Sequence, residues 1–151
     1  MTELKLTIEL VPKPLWGRNL HNLISRSRWD ILRKLVYEEY DYHCGVCGAT
    51  GRLNCHEVFY YDEVNHIQYL TGLIALCDLC NSCKHMGRAG ALSREGKVDI
   101  RVVVDHFCTI NNLSWSEFRV VVAEAFNQWK ERNKYEWTQD FGKYSVLIVM
   151  H

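Results

Sequence analysis

The chain has 151 residues, 48% hydrophobic and 24% charged, and its 18 Lys and Arg balance 18 Asp and Glu to a formal net charge of zero. That composition suits a globular chain with a core of its own, excludes disorder as the main state, and offers no overall positive field to attract nucleic acid. No apolar run approaches the roughly 18 residues of a membrane span, and the start MTELKLTIEL lacks a basic region followed by an apolar one, so one cytoplasmic domain is expected. Seven cysteines in that setting read as metal ligands and free thiols rather than a disulfide framework.

Leu4, Leu6, Ile8 and Leu10 alternate with Lys5, Thr7 and Glu9, the pattern of a half-buried strand that Pro12 and Pro14 end. Ser27-x-x-Asp30 is a capping-box variant, and Trp29, Leu32, Leu35, Val36 and Tyr40 share one stripe of a helix of about thirteen residues. Gly45, Gly48 and Gly51 mark a knuckle and turn. Arg52 to Tyr60 is expected as a strand with His56 on the face opposite Cys55 and Glu57, followed by a loop from Tyr61 to His66. Leu70 to Leu76 is an apolar run, after which Asp78 to Leu92 is expected as one helix with Asn81 and His85 on a common face. Val98 to Ile110 keeps helical spacing, and Ser114-x-x-Glu117 is a second capping box that opens a helix to about Arg132. Tyr144 to Met150 reads as a strand that pairs with the N-terminal one. Trp29, Trp115, Phe118 and Trp129 are expected in the core, and Trp16, Tyr60 and Tyr61 near the chemistry-bearing residues.

Those residues are concentrated in the middle of the chain. Cys44-x-x-Cys47 and Cys77-x-x-Cys80 supply two knuckles, each able to set two sulfurs about 3.7 Å apart on one tetrahedral zinc. They bracket His56-Glu57, and the second pair runs on into Asn81-Ser82-Cys83-Lys84-His85. Cys55, Cys83 and Cys108 are expected as buried thiols, with Cys83, one turn from the second pair, the one placed to substitute for a ligand. His43, His66 and His106 carry no signal of their own. Basic residues cluster from Lys13 to Lys34 and from Lys84 to Arg101, where each cluster is either a phosphate contact or a solvated face.

The succession CGVCG, LNCHEVFYYDE and LTGLIALCDLCNSCKH resembles the HNH endonuclease family, in particular bacterial and phage members with a C-terminal helical part. The similarity runs over most of the chain, from ELVPKPLWGRNL to DHF and the tryptophans beyond it. It implies an α+β fold with a ββα-metal, treble-clef-like zinc-finger core at about 40–92. The N-terminal strand and helix (1–40) and the C-terminal helices and strand (98–151) pack around that core. It further implies that Cys44, Cys47, Cys77 and Cys80 hold a structural zinc, and that His56, Asn81 and His85 surround a catalytic Mg2+, Mn2+ or similar ion. Lys84 and Arg88 would then contact nucleic acid, which is DNA or, alternatively, RNA. Phosphodiester hydrolysis needs a base for water and a cation to neutralise phosphate charge, and imidazole and amide groups suit those tasks.

Relatives carry two polar residues in tandem on the strand, with the second as base. Here the tandem is either Cys55-His56, making His56 the base, or His56-Glu57, making His56 a ligand and Glu57 the base. The middle Asn of the family pattern falls at Gly72, and Asn81 stands where many relatives have His. A second expectation, of another class, is a zinc-stabilised module without hydrolysis that binds nucleic acid or inhibits a protein partner.

Overall fold

The computed structural model describes residues 3–149. Among these residues it is a mixed α+β structure with seven α-helices and a three-stranded sheet, built around a long antiparallel hairpin of β1 (Leu53–Asp62) and β2 (Ile67–Cys77). Asp62 closes the turn by accepting from the backbone N–H groups of Val64 and Asn65. β3 (Thr138–Asp140) adds in parallel to the start of β2.

Both faces of the hairpin are covered. One cluster includes Leu6, Leu76, Cys83, Met86, Val103 and Phe107; the other includes Leu20, Ile24, Val36, Leu70, Leu73 and Ala75. Because side chains alternate along a strand, His56, paired with Ile74, faces the first cluster, while Cys55 and Glu57, paired with Ala75 and Leu73, face the second. The register shifts between Val58 and Phe59, leaving Thr71 unpaired, and its hydroxyl donates to the Val58 carbonyl. That extra residue resets the alternation, so Leu70 and Leu73 reach the same cluster although three positions apart. Gly72 sits beside the bulge, and a Cβ there would meet no atom within 4 Å.

Four helices precede and follow the hairpin closely. α1 (Leu20–Leu23) and α2 (Arg26–Glu39) come before it, and α3 (Asp78–Lys84) and α4 (Met86–Arg94) come after. The cap of α2 is Ser25, not the expected Ser27, since Asp30 is drawn to Arg33 at 3.0 Å and makes no box. The expected single helix from Asp78 to Leu92 is broken at His85 (φ −101°, ψ 49°), which ends α3 and begins α4. α5 (Ile100–Asn111) follows, and α6 (Trp115–Arg132) starts at the capping box of Ser114 and Glu117. Of the tryptophans expected inside, Trp115 is 42% exposed and donates to Asp105, and Trp29 and Trp129 are half-buried. Among the described residues, no helix is long and apolar enough to cross a membrane.

Two expected strands do not form. The alternation of Leu4, Leu6 and Ile8 against the first cluster is present, but the segment has no strand partner. The Asn111 side chain takes that place, accepting from the N–H groups of Lys5 and Leu6 and donating to the Leu6 carbonyl. Glu9 N–H is held by the Lys84 carbonyl. With these groups engaged, the C-terminal segment has no edge to join. It forms a 3-10 turn (Gly142–Tyr144) and α7 (Ser145–Val149), with Leu147 and Ile148 packed on the second cluster; Met150 lies outside the described residues.

Candidate functional site

The cysteine pairs are set by local backbone. In the first knuckle Gly48 takes φ 77°, which favours glycine, and a Cβ on Gly45 would lie 2.8 Å from both Ile74 and Tyr40, so a side chain there would force them to shift. Gly45 N–H donates to the Ala75 carbonyl at 2.7 Å, bringing the knuckle onto β2. In the second, Cys77 is the N-cap of α3 and its sulfur accepts from Cys80 N–H at 3.4 Å. The sulfurs of Cys44, Cys47, Cys77 and Cys80 all lie within 4.8 Å of one another, with Cys47 and Cys77 3.6 Å apart. Tetrahedral Zn–S bonds of about 2.3 Å require sulfurs about 3.8 Å apart, so the set fits a structural zinc. Burial opposes ionisation of Cys44, but the N–H groups of Cys47, Cys77 and Val46 outweigh it and bring the thiol down to about 7.

The remaining thiols are turned elsewhere. Cys83 donates to the Val103 carbonyl, and burial pushes it up to about 12. Cys55 is likewise raised to about 12, by burial and then by the charge of Glu57, and Cys108 is raised by burial.

A cleft of about 750 Å3 lies beside the cluster, and Glu9, His56, Asn81, His85 and Arg88 all line it. His56 is only 6% exposed, and its ring meets that of His85 edge to face with centroids 5.1 Å apart. His56 Nε2 bonds the Glu9 carboxylate at 2.5 Å, whose other oxygen takes Lys84 Nζ at 3.3 Å; Lys84 also donates to Thr7 at 2.8 Å. Burial works against ionisation of Glu9, but the His56 hydrogen bond and then the Lys84 charge hold its carboxyl below the usual range. Burial, followed by the His56 charge, lowers His85 to about 4, so its imidazole is neutral near pH 7.

Glu57 is 7% exposed and points to the other side of the hairpin. Its oxygens accept from the N–H groups of Leu20 at 2.6 Å and His21 at 3.3 Å, the first two residues of α1. It thus caps that short helix, and burial raises its pKa against the pull of those donors. The structure therefore brings His56, Glu57, Asn81, His85 and Arg88 to one cleft, turns Lys84 inward onto Glu9, and engages both oxygens of Glu57 at the start of α1. Among the described residues, the four cysteines are the one group of three or more His, Cys, Asp or Glu at ligating distance.

No family model, curated protein or solved structure matches the chain.

Two residues of these sites were not legible in the sequence. Glu9 reads as the polar face of a strand, 47 positions from the histidine it bonds. His106, on α5, lies with Nε2 3.1 Å from the Cys80 sulfur, within hydrogen-bond reach of a ligand thiolate, and burial lowers its pKa. The helical spacing of α5 was a signal for its inner face, but not for a sulfur as its contact.

Proposed function

We propose that this chain is a divalent-cation-dependent endonuclease of the HNH kind that hydrolyses phosphodiester bonds in DNA. The observation that carries the reading is the meeting of His56, from β1, with His85, from the α3–α4 junction, on a cleft shared with Asn81 and Arg88. His56 is the general base. Its Nε2 donates to Glu9, which fixes the tautomer and leaves Nδ1 as the nitrogen that takes a proton from water. The water oxygen bonds to phosphorus as the bond from phosphorus to the leaving sugar oxygen breaks. Asn81 and the neutral His85 are the groups that would hold the cation, which supplies charge neutralisation at the phosphate and leaving oxygen. Arg88 contacts a neighbouring phosphate, and Lys84 acts indirectly by holding Glu9. Zinc at the four cysteines fixes the hairpin to α3 and takes no part in the chemistry.

The test is nicking of supercoiled plasmid by zinc-loaded protein. Cleavage that requires added Mg2+ or Mn2+, and is lost in His56→Ala and His85→Ala variants with unchanged circular dichroism, is expected. A second reading, a zinc-stabilised binding module without hydrolysis, is favoured by the network that engages both His56 and Lys84 through Glu9. Folded protein that cleaves neither DNA nor RNA with any cation establishes that reading instead.

A further inference from the structure

A cavity of about 770 Å3 adjoins the cleft, and Glu9, Trp16, His85 and Arg88 line both, so the two share a wall. Its inner wall is apolar, formed by Val104, Phe118, Phe126 and Trp129, and its size is that of a small-molecule pocket. From α4 it receives Gly87 and Gly90, although two glycines in a nine-residue helix weaken its intrinsic stability. Packing does not demand the second of them. A Cβ on Gly90 would meet only an Arg94 guanidinium nitrogen, at 3.9 Å. The absent side chain keeps the cavity open.

Trp16 stands at the opening and is 60% exposed. Its Nε1–H donates to the Val11 carbonyl at 2.8 Å, and Trp129 donates to the same oxygen at 2.9 Å. That shared acceptor holds the rings 20° from parallel with centroids 6.5 Å apart. A large exposed aromatic held by such a bond is a prepared stacking surface, with little side-chain freedom left to lose on binding. Arg88 lines both cavity and cleft and Arg94 lines the cavity, while the one acidic lining residue, Glu9, is engaged by His56 and Lys84. An apolar wall, a fixed indole and arginines suit a flat base that carries a phosphate.

Resting on the nuclease reading, we propose that this cavity is a subsite for one unpaired nucleobase next to the scissile phosphate. The preferred substrate is accordingly single-stranded or locally opened DNA. A base inside a duplex is stacked on both sides and reaches such a cavity only by extrusion, a cost that a single strand does not carry.

The experiment is fluorescence anisotropy of a single-stranded oligonucleotide with zinc-loaded protein, Ca2+ replacing the catalytic cation, while one abasic residue is stepped along the strand. Binding is expected to weaken about tenfold at one position, the scale of a single base–aromatic stack, and hardly elsewhere. Trp16→Ala and the cavity-filling Gly90→Leu should bind the intact strand as weakly as the parent binds that abasic one, and Trp16→Phe should keep most of the difference. Gly90→Leu should melt no lower than the parent. Uniform affinity along the abasic series, or an undiminished base effect in Gly90→Leu, overturns the subsite while plasmid cleavage leaves the nuclease standing. Failure to bind or cleave any nucleic acid overturns both.

Discussion

The cysteine cluster and the histidine cleft lie on the same hairpin, yet they are assembled differently. Each half of the cluster is made by a four-residue turn whose backbone aims both sulfurs, and the two halves meet because Gly45 bonds directly to β2. The cleft draws its groups from five separate places: an irregular N-terminal segment, β1, α3, the helix break at His85, and α4. A site of the first kind depends on local turns and metal, and one of the second on tertiary packing. Perturbations should therefore act on the cluster through stability and on the cleft through rate.

The largest expected effect is on the cluster. Structural zinc in small zinc domains binds with about 10 to 16 kcal/mol, so chelation or Cys80→Ser should abolish the cooperative thermal transition. Next is the cleft. His56→Ala should lower the cleavage rate about 10²- to 10⁴-fold, as expected for loss of a general base, while zinc-loaded protein still melts cooperatively, lower by the roughly 1 to 3 kcal/mol that the lost bond to Glu9 costs.

Acid sharpens the contrast further. His85 has its pKa lowered to about 4 by burial, so the unfolded chain takes up that proton first, near its ordinary value of about 6.5. Stability should be full above pH 6.5 and fall as pH drops toward 4, by at most about 3 kcal/mol, a slope that urea melts should find flattened in His85→Leu. Glu9, whose folded pKa is lowered, adds a loss below its ordinary carboxylate value as pH falls through the folded one.

The two smallest effects separate the sites residue by residue. Removing the His106 hydrogen bond from the Cys80 sulfur in His106→Leu should weaken zinc about 10- to 100-fold, read as faster release to a chromogenic chelator. Glu57→Gln should cost about 1 kcal/mol of stability through the α1 cap, with the nicking rate within a few-fold of the parent. A rate collapse in Glu57→Gln would instead make Glu57 the base and His56 its neighbouring ligand.

The same contrast explains what the sequence disclosed. The knuckles, the first hairpin strand, the Ser114–Glu117 capping box and the alternation that sets His56 opposite Glu57 all follow from residues within a few positions of one another, whereas β2 reads only as an apolar run from Leu70. Glu9 did not, because its partner is set by packing across the chain, and its alternating neighbours read equally well as a strand. The strand expectation failed for a related reason: Asn111 supplies from a distant helix the hydrogen bonds a neighbouring strand would give. Tyr144 to Val149 is β-branched and apolar enough for a strand, yet only part of it packs inward, and a turn and short helix satisfy that with no partner edge. The break at His85 falls between Asn81-Ser82-Cys83 and Gly87, none of them strong helix formers, and it sets the imidazole against His56.

The most direct measurement of the central claim is the plasmid-nicking rate against Mn2+ concentration at fixed zinc, for the parent, His56→Ala and His85→Ala. The account predicts a saturating rise for the parent, a far lower plateau at an unshifted midpoint for His56→Ala, and a midpoint displaced to higher Mn2+ for His85→Ala. A rate independent of added cation, or variants that match the parent in both plateau and midpoint, would contradict it.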